Sequence, residues 1–227
     1  MRAVLFDMDG TLVDSEKLWD VSLAALYEKY GSTLSADIRT ALVGSSAENT
    51  VRTVFADLGL DPDPAAMAVE SRWLHDYTAD LFDGGLPWCE GARELLEVLA
   101  AERTPMALVT NTQRFLTDRA LNSIGRHYFS VTVCGDEVPL GKPAPDPYLR
   151  AAQLLGLSPE ACLAVEDSVT GAAAAERAGC PVLVVPNDVP VPQGPRRRHI
   201  GSLGALDAAA LRAVHAALSL EFGERTA

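Results

Sequence analysis

The sequence predicts an α/β fold, with a mostly parallel β-sheet between two layers of helices and a separate block of helices inserted into it. Three observations support this prediction. The uncharged apolar run of residues 3–6 is typical of a strand buried on both faces of a sheet. Residues 92–185 alternate between helical and strand patterns, as expected for parallel strands joined by crossover helices. Between these regions, residues 15–82 are helical in pattern and contain no convincing strand.

Length and composition exclude several classes of protein. A chain of 227 residues suits one domain with an insertion, and 48% hydrophobic with 22% charged residues is ordinary for a globular protein. The net charge of −12 argues against nucleic acid or an anionic membrane as the main partner. No apolar run approaches the ~20 residues of a membrane span, and no signal peptide is visible. We therefore expect a cytoplasmic protein, monomeric at this size.

The cysteines and histidines show no metal-binding pattern. The four cysteines lie far apart in the sequence, without a Cys-x-x-Cys pair, so we expect reduced thiols rather than a zinc site or disulfides. The four histidines are equally scattered, and we interpret them as structural or surface residues.

The insertion is predicted to contain four helices. Their expected ranges are residues 15–31, 35–42, 51–59 and 64–82, with Ser15 and Ser35 as N-caps, Gly31 and Gly59 as stops, and Pro64 at a helix start. The segment after it, Asp83-Gly-Gly-Leu-Pro-Trp88, combines flexible and rigid residues, which we interpret as a hinge rather than a plain loop. The predicted domains are residues 1–14 with 88–227, and residues 15–87 with hinge linkers at both ends.

After the insertion, four predicted helices each precede a predicted strand. The helices are expected at residues 92–101, 114–124, 147–155 and 172–178, and the strands at 106–109, 131–134, 163–165 and 182–185. The proline-rich stretch 187–199, with Arg196, Arg197 and Arg198, is interpreted as a solvated loop rather than a binding patch. Residues 203–220 are expected to form a short element and a closing helix. This order corresponds to a Rossmann-like core.

Polar and charged residues follow the ends of the predicted strands. They are Asp7, Asp9 and Gly10 after the first strand, Thr110 and Asn111 after the second, Lys142 before Pro143, and Glu166 with Asp167 after the fourth. Ligands of open α/β sheets bind beyond the carboxyl ends of the strands, so these side chains are candidates for one site. Each also has an ordinary structural explanation, such as a solvated turn, a helix cap or a surface lysine.

The residue types indicate phosphoryl chemistry. A carboxylate can act as a nucleophile that takes a phosphoryl group, and a second carboxylate can transfer the proton of the leaving group. Clustered carboxylate oxygens suit Mg²⁺. Two acids directly after a buried strand are costly unless they are paired or bound to a cation.

Taken together, these residues resemble a known family. Asp7-Met-Asp-Gly-Thr, Thr110, Lys142-Pro and Glu166-Asp167 are similar, in order, to the four signatures of the haloacid dehalogenase-like (HAD) phosphohydrolases. Glu166-Asp-Ser-Val-Thr-Gly171 is typical of the subfamily that includes phosphoglycolate phosphatase and β-phosphoglucomutase. In that subfamily a helical cap follows the first signature. The resemblance therefore implies a Rossmann-like core with an inserted α-helical cap domain.

The resemblance also implies a role for each residue. Asp7 would be the nucleophile and Asp9 the general acid and base, with Thr110 and Lys142 completing the catalytic set. Phosphate or substrate would be bound by Asp7, Gly10, Thr110, Asn111 and Lys142, and Mg²⁺ by Asp7, the Asp9 carbonyl, Glu166 and Asp167. The expected activity is Mg²⁺-dependent hydrolysis of a small phosphorylated metabolite, such as a sugar phosphate or phosphoglycolate, through an aspartyl phosphate.

Two alternatives remain open. A β-phosphoglucomutase-like mutase shares this cap, but its pattern has a histidine where this chain has Trp19, and an arginine where Ser45-Ser46-Ala47 follow Gly44. Loss of an arginine that would bind a second phosphate disfavours a bisphosphate intermediate. The other alternative is a non-catalytic binding protein with the same fold, since fold alone does not imply activity.

Overall fold

The computed structural model describes residues 1–42, 47–185, 189–204 and 206–223. The chain divides into two compact units, Met1–Asp14 with Pro87–Ala227, and Ser15–Leu86. Within the first unit, the departing and returning segments lie side by side: the Asp14 N–H donates to the Pro87 carbonyl (2.9 Å), and Val13 pairs with Trp88 in an antiparallel bridge. The role of the second unit as a cap stays a prediction.

The described residues of the second unit form helices and their connecting turns, and no strand. Its helices are α1 (Glu16–Lys29), α2 (Ala36–Leu42), α3 (Ala47–Asp57) and α4 (Pro64–Asp83). Of the two expected N-caps, Ser35 accepts from the Ile38 N–H (3.3 Å), whereas the Ser15 side chain makes no capping hydrogen bond. Asp63, which precedes Pro64, caps α4 by accepting from the Ala66 N–H (2.9 Å). A core that includes Leu26, Leu42, Val54 and Leu74 joins all four helices. Residues 44–46, used above to argue against a mutase, lie outside the described residues.

Trp19 is partly buried and packs against the core of this unit. Its ring meets those of His75 and Phe82 edge-on, with ring centroids 6.5 Å apart in both pairs. Burial lowers the pKa of His75, with the nearby Asp76 carboxylate acting in the opposite direction. The residue that replaces the histidine of the mutase pattern thus takes part in an aromatic cluster on α1 and α4.

The first unit is a three-layer α/β/α core, as predicted. Its strands are β1 (Ala3–Phe6), β2 (Met106–Val109), β3 (Val131–Val133), β4 (Cys162–Glu166), β5 (Val182–Val184) and β6 (Arg197–His199). They form one sheet in the order β3-β2-β1-β4-β5-β6, and each pair of neighbouring strands is parallel. The crossover and closing helices are α5 (Ala92–Ala101), α6 (Arg114–Ile124), α7 (Asp146–Leu155), α8 (Val169–Ala178) and α9 (Ala208–Gly223). Strands β1, β2 and β4 are buried along their whole length. Burial on both faces explains why their residues are uncharged except for Glu166, the last residue of β4.

The loop predicted across the arginine run is wrong for residues 197–199, which form the edge strand β6. The backbone decides this point: Val182 N–H donates to the Arg196 carbonyl (2.8 Å), and Ile200 N–H donates to the Val184 carbonyl (3.0 Å). The run is not a loose solvated patch either, because Arg197 forms an ion pair with Glu176 at 2.6 Å. An edge strand tolerates charged residues, which is why the sequence carries no apolar strand pattern there.

Among the described helices, none is both long and apolar enough to cross a membrane.

Candidate active site

The loop after β1 places two aspartates at the carboxyl edge of the sheet. The Asp7 N–H donates to the Val165 carbonyl (3.0 Å) and so continues the β1–β4 pairing, which holds Asp7 at the centre of the sheet. The loop then turns tightly: Gly10 has a φ of 81° and its N–H donates to the Val13 carbonyl (2.8 Å). This left-handed conformation favours glycine, so Gly10 has a backbone role besides its predicted contact with substrate.

Lys142 joins Asp7 to Glu166. Its ammonium donates to Asp7 Oδ1 and to Glu166 Oε1, the latter at 2.6 Å, and the three side chains are only 4%, 8% and 0% exposed. Burial raises the pKa of Asp7, against the effect of the Lys142 ammonium. Burial alone would lower the pKa of Lys142, but the two carboxylates outweigh it and raise that pKa. Lys142 is therefore a buried cation between two carboxylates, not the surface lysine that its proline-rich turn also allowed.

Two threonine hydroxyls hold the Asp9 carboxylate. Thr110 Oγ1 donates to Asp9 Oδ2 at 3.0 Å, and Thr112 Oγ1 donates to the same oxygen at 2.8 Å. The Thr110 hydroxyl is itself fixed, since it also accepts from the Thr112 N–H (3.0 Å). Thr110 thus orients Asp9, and its predicted contact with a phosphate stays a prediction. The sequence argument did not select Thr112, although the residue stands in the same post-strand run.

Asn111 fixes the loop that carries Lys142. Its side-chain amide brackets the main chain of Lys142: Oδ1 accepts from the Lys142 N–H (2.7 Å), and Nδ2 donates to the Lys142 carbonyl (3.1 Å). A Cβ on Gly141 would lie 2.7 Å from Asn111 Oδ1, so this approach needs glycine at position 141. The amide therefore holds the Lys142 loop, and its predicted contact with phosphate stays a prediction.

The Glu166 carboxylate accepts five hydrogen bonds. Oε1 accepts from Lys142 Nζ (2.6 Å) and the Tyr148 hydroxyl (2.7 Å). Oε2 accepts from Ser168 Oγ (3.0 Å) and from the N–H groups of Asp167 (3.2 Å) and Ser168 (3.3 Å). These five donors closely define the position of the side chain. Tyr148 and Ser168 were not identified from the sequence.

Three carboxylates could hold a metal ion. One oxygen each of Asp7, Glu166 and Asp167 lies within 4.8 Å of the other two, and all three residues are buried. Thr11 Oγ1 donates to Asp167 Oδ1 at 3.4 Å. With Lys142, the ionised set carries two net negative charges, which a hard divalent cation would balance. The donor set therefore fits Mg²⁺, and it contains three of the four residues predicted to bind it.

Replacing Gly171 by alanine should disturb this arrangement. A Cβ at position 171 would lie 1.8 Å from Glu166 Oε1 and 2.1 Å from Oε2, so the carboxylate must move. Gly171 lies in α8, where alanine is intrinsically favoured by about 1 kcal/mol, so a loss of stability must come from the clash. We expect a loss of about 1–3 kcal/mol in urea unfolding and weaker binding of Mg²⁺ in calorimetric titration.

Gly201→Ala is the matched control, since a Cβ there would meet no atom within 4 Å. It should change neither quantity. An alanine at position 171 with wild-type stability and wild-type Mg²⁺ affinity would contradict the close packing of Glu166 against α8.

The comparisons with known proteins agree with this arrangement. Residues 4–185 match the family profile described as haloacid dehalogenase-like hydrolase. The chain is 32% identical over 180 residues to a phosphorylated carbohydrates phosphatase from Thermotoga maritima, covering 79% of this chain and 82% of that protein. It is 31% identical over 211 residues to a β-phosphoglucomutase from Mycobacterium bovis, covering 82% of this chain and 80% of that protein. Among solved structures, CbbY from Rhodobacter sphaeroides in complex with phosphate matches with a TM-score of 0.82 and 25% identity, covering 93% of this chain and 99% of that chain.

Proposed function

Because the chain belongs to the haloacid dehalogenase-like hydrolases, we propose that it is a Mg²⁺-dependent phosphatase of a small phosphorylated metabolite, acting through an aspartyl phosphate. The observation that carries the proposal is the buried group of Asp7, Lys142 and the neighbouring acids at the carboxyl edge of the sheet. A nucleophilic carboxylate beside an ammonium and a metal-binding cluster suits phosphoryl transfer, because both cations would offset the negative charge of the phosphate.

In the first step, a carboxylate oxygen of Asp7 attacks phosphorus, and the bond between phosphorus and the alcohol oxygen breaks. Asp9 gives its proton to that leaving oxygen. In the second step, water attacks the phosphorus of the aspartyl phosphate, Asp9 takes a proton from the water, and the bond to the Asp7 oxygen breaks. Inorganic phosphate leaves, and both carboxylates return to their starting states.

The residues around these two carboxylates favour the reaction by position and charge. Thr110 and Thr112 aim one oxygen of Asp9, so the proton donor has a defined direction. Lys142 lies against Asp7 and would also hold an oxygen of the transferring group. Asp7, Glu166, Asp167 and the Asp9 main-chain carbonyl would hold Mg²⁺. The bound ion would offset the repulsion between phosphate and the nucleophile.

The substrate is proposed to be a sugar phosphate or a similar phosphomonoester. The phosphorylated carbohydrates phosphatase of Thermotoga maritima supports this class.

The second unit, Ser15–Leu86, is proposed to act as the cap, with the segments near Asp14 and Pro87 as hinges. A cap that excludes water and contacts the leaving group would select among phosphomonoesters. We further propose a cytoplasmic monomer, in keeping with the acidic composition.

A phosphomutase is the second candidate, because a relative of similar identity is named β-phosphoglucomutase. Such an enzyme uses the same aspartyl-phosphate chemistry but returns the phosphoryl group to a sugar hydroxyl instead of to water. Trp19 stands where the mutase pattern has a histidine, and it packs against His75 and Phe82. That difference favours hydrolysis.

The test is phosphate release from several dozen phosphorylated metabolites, with Mg²⁺ and with excess chelator. We expect a strong preference for one chemical class and loss of at least about 100-fold in rate when the metal is removed, because two net negative charges would then face the phosphate. Asp9→Asn should lose the same preferred activity, since an amide cannot carry the proton. Interconversion of β-glucose 1-phosphate and glucose 6-phosphate that depends on added bisphosphate, without net phosphate release, would establish the mutase instead.

A further inference from the structure

We propose that Tyr148 is a positioning residue of this site, whose hydroxyl satisfies Glu166 so that Lys142 remains shared with Asp7. The inference rests on the proposed phosphatase activity and adds a residue outside the four signature segments.

The contacts place Tyr148 beneath the charged group. Tyr148 belongs to α7, is 0% exposed, and donates from its hydroxyl to Glu166 Oε1 at 2.7 Å. The same oxygen accepts from Lys142 Nζ at 2.6 Å, and that nitrogen lies 5.4 Å from the centroid of the Tyr148 ring. The residue therefore contacts Glu166 through its hydroxyl and Lys142 through its ring, while Lys142 contacts Asp7.

The Tyr148 hydroxyl is a neutral hydrogen-bond donor beside the charged groups of Lys142, Asp7 and Glu166. The phenol donates to Glu166 Oε1 at 2.7 Å, and a phenol that donates is neutral. Its hydrogen bond stabilises the negative charge on Glu166 Oε1 without adding a second cation. Without it, Lys142 would be the remaining side-chain donor on that oxygen, and the ammonium would be drawn toward Glu166 and away from Asp7.

Packing explains the ring but not the hydroxyl. Tyr148 is part of a hydrophobic core with Ala151, Ala152 and Ala172, where an aromatic ring fills space between α7, α8 and the sheet. Phenylalanine would fill the same space. A buried hydroxyl is costly unless it is hydrogen-bonded, and here its acceptor is a residue of the proposed site.

The test is Tyr148→Phe, measured on the preferred substrate at saturating Mg²⁺. Because Lys142 would contact the transferring group in the reaction itself, we expect kcat to fall about 10-fold while KM changes less than about 3-fold. Tyr27→Phe is the matched control: Tyr27 is also 0% exposed and donates its hydroxyl to a carboxylate, Asp57, at 2.8 Å, but it lies in the second unit. Both variants lose one hydrogen bond from a buried tyrosine to a carboxylate, and only Tyr148→Phe should lose turnover.

A double-mutant cycle with Glu166→Gln identifies the route of the effect. If the hydroxyl acts through Glu166, adding Tyr148→Phe to Glu166→Gln should lower kcat by less than about 2-fold further. Any one of three results would overturn the inference. The first is a wild-type kcat in Tyr148→Phe, and the second is an equal fall in kcat in the two Tyr→Phe variants. The third is a double mutant whose fall in kcat is the product of the falls in the two single mutants. A wild-type protein that releases no phosphate from any substrate would instead overturn the proposed function, together with the inference that rests on it.

Discussion

Asp7→Asn should abolish phosphate release, with a loss of about 10⁴-fold or more in kcat, the scale on which removal of a nucleophile acts. An amide oxygen does not form the acyl phosphate, so no partial reaction remains through this residue. Asparagine has nearly the shape of aspartate, and Lys142 keeps Glu166 as an ionic partner. The variant should therefore fold normally, and the loss can be assigned to chemistry.

The measurement is phosphate release at saturating substrate and Mg²⁺, with unfolding followed in parallel to show that the variant is native. Asp61→Asn, at an exposed position in the second unit, is the matched control and should retain full activity. A wild-type rate in Asp7→Asn would mean that the activity arises at another site or from a contaminant. A covalent phosphoprotein that is trapped in the wild type and absent from this variant would support the aspartyl phosphate directly.

Lys142→Met should impair both stability and catalysis. Methionine matches the length of the lysine stem but leaves Asp7 and Glu166 buried without their ammonium partner. Breaking a buried ion pair by removing one partner costs about 3–5 kcal/mol, and protonation of one carboxylate would moderate that cost. Because Lys142 also holds the transferring group in the proposed mechanism, we expect kcat to fall by about 10²–10³-fold.

Urea unfolding in chelator measures the first effect, and phosphate release with Mg²⁺ measures the second. Lys29→Met is the matched control, since Lys29 also pairs with a carboxylate, Glu70 at 2.6 Å, but within the second unit and with its side chain 38% exposed. That pair should contribute less to stability and nothing to chemistry. A Lys142→Met protein as stable and active as the wild type would remove the basis for placing Lys142 at the centre of the site.

Much of the architecture could be predicted because its signals are local. The uncharged run of β1 specifies a strand buried on both faces, and Asp63-Pro64 specifies the start of α4. The edge strand β6 could not be found in this way, since Arg197–His199 is polar and extended only through its pairing with β5. Strand formation there depends on a neighbour rather than on the residues themselves.

The sequence by itself determined the fold class, the order of the elements other than β6, and the positions of Asp7, Lys142, Glu166 and Asp167 at the ends of the strands or in the turns that present them. Parallel strands bring their carboxyl ends to one edge, so the meeting of these residues follows from topology. The sequence did not determine which side chains form hydrogen bonds with one another in the site. Thr112 holds Asp9 from 103 residues away, and Tyr148 meets Glu166 across 18 residues and two different elements. Only the packing of α7 and the loops against the sheet selects these partners, because a hydrogen bond depends on ångström-scale placement that no local pattern encodes.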